Sequence, residues 1–285
     1  MTTPTHKTVL GLSGGKDSSA LAIFMKEKEP DTEIEYFFTD TGKELPEVYE
    51  FLDKMQSNFG INVHYLTPNT GNTDESAFDY FHKINNYYLP SAQARWCTVN
   101  LKLKPFEKWI KPTLEKGGSI TSLVAIRADE DREGYRPSNE RVKVRFPFIE
   151  YGIDKQGVRN ILEKSGLGMP EYYKWRSRSG CTFCFYQQKI EWVNLKEKHP
   201  DKFEEAKSYE KLSRDNDSPF TWSEGEPLEN LEKPERVDKI KKDFADRQRK
   251  ALAKKKFHPI LGKLEEYDDE FMDTDISHSC VICHK

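Results

Sequence analysis

The chain has 285 residues, of which 33% are charged and 36% hydrophobic, and its formal net charge is -3. This length allows one large core or two smaller ones, and the charge excludes a globally basic nucleic-acid binder. No apolar run approaches the roughly 20 residues that cross a bilayer, and residues 1–7 lack the apolar core of a signal peptide. We therefore predict a cytoplasmic protein without a membrane-spanning segment.

The first predicted strand, Thr8–Leu12, leads through a Ser-Gly-Gly turn into a helix predicted over Ser18–Glu29. Glycines let backbone N–H groups approach an anion, and the positive end of the new helix points to the same place. Lys16 adds a compact positive charge, and three serines add hydroxyl groups. Neither the Walker pattern nor G-x-G-x-x-G is present. The predicted phosphate-binding loop, called here the phosphate loop, consists of Ser13, Gly14, Gly15, Lys16, Asp17, Ser18 and Ser19.

The same alternation continues along the chain. Strands are predicted over Glu33–Phe38 and Ile61–Leu66, with a helix over Leu45–Asn58 between them. This short β-α-β-α-β spacing favours an α/β fold, a twisted parallel sheet with helices on both faces. Ligands of such sheets lie beyond the carboxyl ends of the strands. The phosphate loop and Asp40-Thr41-Gly42, which follows the second strand, are therefore predicted to face one site.

Three further elements precede the middle of the chain. We predict helices over Ser76–Asn85 and Phe106–Lys116 and a buried strand over Ile120–Ile126. That strand leads directly to Arg127, whose guanidinium could hold a phosphate or sulfate through two hydrogen bonds. A solvated charged loop is the alternative for this stretch.

Residues 185–258 are predicted to be helical and charged. Within them, Arg236–Lys256 is rich in lysine and arginine. A basic helix can neutralise the phosphates of DNA or RNA. The alternative is an ordinary solvated helix face.

Four of the five cysteines form two C-x-x-C pairs, Cys181 with Cys184 and Cys280 with Cys283; the fifth is Cys97. In a reducing compartment this spacing favours metal or redox chemistry over structural disulfides. Two thiolates on a tight turn can bind zinc tetrahedrally or ligate an iron–sulfur cluster. Spacing alone leaves these alternatives, and a redox-active pair, open.

The motifs resemble those of a known superfamily. Ser-Gly-Gly-Lys-Asp-Ser in the phosphate loop resembles the pyrophosphate loop of the N-type ATP pyrophosphatases, the adenine nucleotide alpha hydrolase-like (HUP) fold. Thr39-Asp40-Thr41-Gly42 and Arg95-Trp96-Cys97-Thr98 resemble segments of its phosphoadenosine-phosphosulfate (PAPS) reductase branch. Val48 and Ala125 depart from the residues usual there. The resemblance covers about residues 8–190, so we predict a domain over 1–190 and a helical extension over 191–285.

The resemblance implies chemistry on ATP. Members of the superfamily cleave ATP between the α and β phosphates and usually adenylate a substrate. The phosphate loop and Lys16 would bind the β and γ phosphates, with Mg²⁺ held by Asp17 and Asp40. Arg127 matches the first arginine of another family segment and would contact phosphate or sulfate.

The resemblance also implies a cluster. Some sulfonucleotide reductases hold a 4Fe–4S cluster with a Cys-Cys pair and a later C-x-x-C pair, and ATP pyrophosphatases of DNA phosphorothioation also carry a cluster. Here Thr98 replaces the second cysteine of the first pair. A cluster on Cys97, Cys181 and Cys184 would leave one iron open, or ligated by Cys280 or Cys283. Zinc is the alternative metal.

We therefore expect an ATP pyrophosphatase that adenylates a nucleic-acid acceptor for sulfur incorporation, with DNA phosphorothioate modification as the first choice. Its expected partners are ATP, nucleic acid, a cysteine desulfurase or other sulfur donor, and a second copy of the chain. One alternative is a reductase that produces sulfite with Cys280 or Cys283 as nucleophile. Another is a nucleotide sensor that binds ATP without turnover.

Overall fold

The computed structural model describes residues 5–71, 75–134, 137–218 and 220–255, with side chains through residue 250. Its centre is a five-stranded sheet in the order β3-β2-β1-β4-β5, and every neighbouring pair is parallel. The strands are β1 (His6–Gly11), β2 (Ile34–Thr39), β3 (Val63–Leu66), β4 (Ser119–Leu123) and β5 (Val142–Arg145). The predicted parallel α/β sheet is confirmed.

Helices cover both faces of this sheet, as predicted. Side chains alternate along a strand, so that Leu10 joins the large core under helices α1, α2 and α7, whereas Val9 joins a smaller core under α5. The helices of this part are α1 (Lys16–Lys28), α2 (Pro46–Phe59), α3 (Ala77–Ile84), α4 (Trp96–Thr98), α5 (Lys104–Glu115), α6 (Pro147–Glu150) and α7 (Lys155–Lys164).

Local sequence signals explain where several helices begin and end. Pro46 occupies the first turn of α2, where its missing N–H is not needed, and Gly60 ends that helix in a left-handed conformation. Asp154 caps α7 by accepting a hydrogen bond from the Gly157 N–H. A π-helical segment over Val99–Leu103, which the sequence analysis did not predict, connects α4 to α5.

The region 189–255 is largely helical, as predicted for 185–258, of which 256–258 lie outside the described residues. Its helices are α8 (Lys189–Lys198), α9 (Pro200–Asp215), α10 (Leu228–Leu231) and α11 (Pro234–Lys255), after a 3₁₀ turn over Glu171–Lys174. Trp192, Phe203 and Ile240 from these helices belong to the same apolar cluster as Leu10. The domain boundary at 190 stays a prediction. Within the described ranges, no helix combines the length and the apolar character that crossing a membrane requires.

Glu226 ties α11 to the rest of the molecule. Its carboxylate accepts two parallel hydrogen bonds from Arg236, at 2.6 and 2.8 Å, and also pairs with Lys189 at the start of α8. The hydrogen bonds from Arg236, together with Lys189, lower the pKa of Glu226 from 4.5 to about 2. These ion pairs therefore stabilise the fold fully above about pH 4.5, and their contribution is lost as the pH falls towards 2.

We expect Glu226→Gln to lower the free energy of unfolding by about 2 kcal/mol at pH 7, because charge-assisted hydrogen bonds are lost. Urea unfolding measured from pH 7 to pH 2.5 should show this difference shrinking once the pH drops below 4.5. The control is Glu229→Gln, since Glu229 and Arg214 are half-exposed and 3.5 Å apart. If the two variants lower the free energy of unfolding equally at pH 7, the ion pairs of Glu226 do not stabilise the fold as described.

Candidate active site

A cleft of about 850 Å³ opens at the carboxyl ends of β1 and β2. Gly11, Phe37 and Thr39 line it from the strands, and the rest of its wall comes from α4, the π-helical segment and residues 178–186. Its position is the one predicted for the ligand of a parallel sheet.

The phosphate loop follows β1 directly, and its serines fix its shape. The Ser13 N–H donates to Ser18 Oγ at 3.1 Å, and Ser18 Oγ donates to the Gly15 carbonyl at 3.3 Å. Gly14 has a φ of +70°, and a Cβ there would lie 2.6 Å from Val48 Cγ1. The Ser19 hydroxyl is buried and has no hydrogen-bond partner in the described part of the chain. Phosphate contacts from these residues stay a prediction.

Residues 172–179, just before the first C-x-x-C pair, hold the phosphate loop in place. The Tyr172 hydroxyl donates to the Gly14 carbonyl at 2.7 Å, and Ser179 Oγ donates to Ser13 Oγ at 3.2 Å. The two segments approach so closely that a Cβ on Gly15 would lie 2.6 Å from Ser179 Oγ. The sequence analysis missed this role. The signal in the sequence for this role is the Tyr172-Tyr173 pair, which precedes the cysteines.

Lys16 and Asp17 are both buried at the start of α1. Lys16 Nζ lies 4.9 Å from the centre of the Tyr173 ring, a cation–π distance. Asp17 Oδ1 accepts a hydrogen bond from Arg127 Nη1 at 3.1 Å. Asp17 is therefore in place at the loop, already paired with a cation.

Arg127, predicted to contact phosphate, is surrounded by carboxylates. Besides Asp17 it contacts Asp129 at 3.0 Å and Glu130 at 2.8 Å. Burial alone would lower the pKa of Arg127, but the nearby carboxylates, Asp17 first, raise it instead. In this structure the guanidinium neutralises Asp17, and a phosphate contact by Arg127 stays a prediction.

The Asp-Thr-Gly motif lies at the end of β2, as predicted. Asp40 Oδ1 accepts hydrogen bonds from the Gly42 N–H at 2.8 Å and from the Tyr49 hydroxyl at 2.7 Å. The Thr41 hydroxyl donates to Glu44 Oε1 at 3.0 Å and lies 3.3 Å from Cys181 Sγ. The motif therefore connects the end of β2 to the first C-x-x-C pair.

The structure brings three of the predicted ligands to one cleft: Cys97, Cys181 and Cys184 all line it, and none of the three forms a disulfide within the described residues. Glu44, which the sequence analysis did not single out, accepts a hydrogen bond from Cys181 Sγ at 3.6 Å. Burial raises the pKa of Cys181 well above its ordinary value and also raises that of Glu44.

The described ranges contain no group of three histidine, cysteine or acidic side chains close enough to hold a single metal ion. Cys280 and Cys283, the other predicted ligands, lie outside the described residues.

Arginines surround the cysteines. Arg176 is fully buried; its Nη2 donates to the Cys181 carbonyl, while Nε and Nη1 find no hydrogen-bond partner in the described part of the chain. Arg95 and Arg178 both line the cleft, with their guanidinium carbons 5.8 and 5.3 Å from the centre of the Tyr186 ring. A cleft with this excess of cations suits an anionic ligand.

Curated relatives of this chain are uncharacterized. A protein of Methanocaldococcus jannaschii is 24% identical over 205 residues, covering 69% of this chain and 40% of that protein. A protein of Escherichia phage 186 is 24% identical over 272 residues, covering 77% and 80%. A nin region protein of Escherichia phage lambda is 27% identical over 186 residues, covering 59% and 58%. The chain therefore spans less than two thirds of the first and third of these relatives.

Two solved structures share part of the architecture. A phosphoadenylyl-sulfate reductase from Candida auris, in a phosphate complex, aligns with a TM-score of 0.46 at 14% identity over 63% of this chain and 82% of that chain. The U34-tRNA thiolase NcsA from Methanococcus maripaludis, with its 4Fe–4S cluster, aligns with a TM-score of 0.40 at 16% identity over 81% and 82%. Residues 7–150 match the phosphoadenosine phosphosulfate reductase domain. Since that match covers half of the sequence, this chain belongs to the phosphoadenosine phosphosulfate reductase domain family.

Proposed function

We propose that this protein cleaves ATP between its α and β phosphates, adenylates a nucleic-acid acceptor, and allows sulfur to replace the AMP. DNA phosphorothioate modification is the reaction we favour. One observation carries the proposal. The phosphate loop is hydrogen-bonded through Gly14 and Ser13 to Tyr172 and Ser179, and the chain runs from there directly to Cys181. A nucleotide on the loop and a sulfur atom at the cysteines would therefore share one cleft.

In the first step, an acceptor oxygen bonds to the α-phosphorus of ATP as the bond to the bridging oxygen breaks and pyrophosphate leaves. The backbone N–H groups of the loop and the Lys16 ammonium would bind the β and γ phosphates and stabilise the charge on the leaving group. Positioning and charge neutralisation carry most of the catalysis in phosphoryl chemistry. Asp17 and Asp40 would hold Mg²⁺, which neutralises phosphate charge when bound.

In the second step, a sulfur nucleophile bonds to the adenylated centre as AMP leaves. A cysteine desulfurase or another donor would supply this sulfur as a persulfide, whose terminal sulfur bonds to the centre; a second thiol would then break the remaining S–S bond and leave as a disulfide with the donor sulfur. The side chains of Arg95 and Arg178 line the cleft and would hold the departing nucleotide phosphate there.

We favour an iron–sulfur cluster on the cysteines and keep zinc as the alternative. Three thiols line one cleft, and a cluster is larger than a single ion, so that its ligands can lie further apart than those of one zinc ion. A cationic cluster would also stabilise the thiolate of Cys181, which burial disfavours. When bound by Cys97, Cys181 and Cys184, a 4Fe–4S cluster supplies an iron with an open position where sulfur can bind.

A second candidate function is the reduction of PAPS to sulfite. The buried Arg176, whose Nε and Nη1 have no hydrogen-bond partner among the described residues, favours an anionic group beside the cysteines, as the sulfate of PAPS would be. Its nucleophile would be Cys280 or Cys283. The intact phosphate loop favours ATP cleavage instead, because a reductase has no pyrophosphate to release.

We expect Lys16→Ala to lower the rate of pyrophosphate release from ATP by roughly a hundredfold or more, because the leaving group loses its buried cation. Lys28→Ala, on the exposed end of the same helix, should leave that rate unchanged. Lys16→Gln keeps more of the side-chain bulk and should behave like Lys16→Ala if the charge matters. The assay measures AMP and pyrophosphate from ATP, and sulfite from PAPS.

Undiminished pyrophosphate release by both Lys16 variants would refute the loop assignment. Sulfite from PAPS without pyrophosphate from ATP would establish the reductase. Tight ATP binding without either product would establish the sensor.

We expect protein purified without oxygen to contain iron and sulfide in nearly equal amounts, with a broad absorption band in the visible violet. Cys97→Ser, Cys181→Ser and Cys184→Ser should each lower both contents at least twofold, since each removes a ligand. Thr182→Ser, between two of these cysteines, is the matched control and should retain them. Stoichiometric zinc without iron or sulfide would contradict the cluster.

A further inference from the structure

A second cavity, of about 1350 Å³, lies beside the active-site cleft and shares Arg95 with it. It opens between two turns, one after α3 and the other after α9. Its lining combines aromatic rings with uncharged polar side chains, and among the described residues it contains one cation, Arg95, and one carboxylate, Asp217. Among the residues that the structure describes, neither the phosphate loop nor Cys97, Cys181 or Cys184 contributes to it.

The aromatic rings offer a stacking surface. Phe220 is 45% exposed, and its ring centre lies 4.8 Å from that of Tyr88. Trp96 lies beneath them, buried, and its indole N–H donates to the Tyr88 carbonyl at 3.0 Å. Exposed aromatic rings held in place in this way are the usual platform on which proteins stack unpaired nucleobases.

Polar groups without partners surround this platform. Ser218 is only 6% exposed, and its hydroxyl has no hydrogen-bond partner in the described part of the chain. Nε of Arg95 is also buried without a hydrogen-bond partner among the described residues. Buried donors and acceptors in this condition destabilise a protein unless a ligand or water satisfies them. The side-chain amides of Asn86 and Gln93 add donors and acceptors of the kind that pair with the edges of bases.

The backbone at this cavity is strained. Asn86, Tyr87 and Asp217 have φ values of 51°, 58° and 61°, and they are the non-glycine residues with positive φ in the described ranges. All three belong to the two turns that form the cavity. His82 holds the first turn, since its Nε2 lies 2.9 Å from the Tyr87 carbonyl oxygen. Strain of this kind concentrates at ligand sites.

We propose that this cavity binds an unpaired nucleobase of the polynucleotide acceptor, with its edge facing the amides of Asn86 and Gln93. The base would stack on the exposed Phe220 ring and contact the Tyr88 ring, which is tilted by 55° from it. Arg95 would contact the strand's phosphate where the two cavities meet. This base site depends on the proposed function in one respect: the acceptor is taken to be a nucleic acid. An aromatic side chain of a protein partner could pack on the rings, but it would leave most of the amide groups without hydrogen bonds and Arg95 without an anion to contact.

The test is equilibrium binding of fluorescent single-stranded DNA and RNA octamers to the full-length protein, measured by anisotropy. Phe220→Leu and Tyr88→Ala should weaken binding roughly fivefold to a hundredfold, the range for losing one stacked base. Gln93→Ala, an exposed change, should weaken it less and alter the preference among bases. Tyr151→Ala is the control, because Tyr151 is 47% exposed but packs against Phe24, away from this cavity.

A second measurement locates the base directly. Strands carrying 5-iodouracil, irradiated in the complex, should cross-link to peptides that contain Tyr88 or Phe220. Undetectable binding by the parent protein, equal affinities in Phe220→Leu and Tyr151→Ala, or cross-links confined to other peptides would overturn the proposal.

The outcome is separable from that of the proposed function. If Phe220→Leu weakens oligonucleotide binding while no pyrophosphate is released by any variant, the base site stands and the ATP pyrophosphatase proposal fails. If pyrophosphate is released but oligonucleotide affinity is unchanged in Phe220→Leu, the base site fails and the enzyme stands.

Discussion

The hydrogen bond from the Tyr172 hydroxyl to the Gly14 carbonyl connects residues 158 positions apart in the sequence. It holds the phosphate loop against the segment that leads to Cys181. Gly15 permits this contact, because a Cβ there would lie 2.6 Å from Ser179 Oγ, and Gly14 permits the close approach of Val48, whose Cγ1 would lie 2.6 Å from a Cβ on Gly14. The loop and the cysteines therefore form one unit, and whatever binds the loop lies near the thiols.

Charge is distributed unevenly across this unit. Arg127 forms ion pairs with Asp17 and with two neighbouring carboxylates. Arg176, by contrast, is fully buried; Glu44 interacts with it electrostatically, but its Nε and Nη1 have no hydrogen-bond partner in the described part of the chain. Burying a cation with unsatisfied donors is costly. The cations that line the cleft, Arg95, Lys102 and Arg178, suit an anion near the cysteines, which fits both a nucleotide and a sulfur-bearing group.

The sequence predicts β1 to β4 and the turn that forms the phosphate loop, because these depend on local patterns, but it does not predict β5. Apolar alternation identifies the strands, and Ser-Gly-Gly-Lys-Asp-Ser marks the turn after β1. The partners of Arg127 and the roles of Tyr172 and Glu44 could not be predicted, since they depend on contacts between distant segments. The π-helical turn at Val99–Leu103 was missed for another reason: its side-chain pattern is too short to separate from an α-helix.

The central claim is that nucleotide and sulfur chemistry share one cleft. The most direct test measures how fast iodoacetamide alkylates Cys97, Cys181 and Cys184 in the metal-free protein, followed by mass spectrometry. The rates are compared with and without a saturating ATP analogue whose α–β bond cannot be cleaved. Our account predicts that the analogue slows modification of these thiols several-fold. Unchanged rates at all three cysteines, with the analogue demonstrably bound, would contradict it.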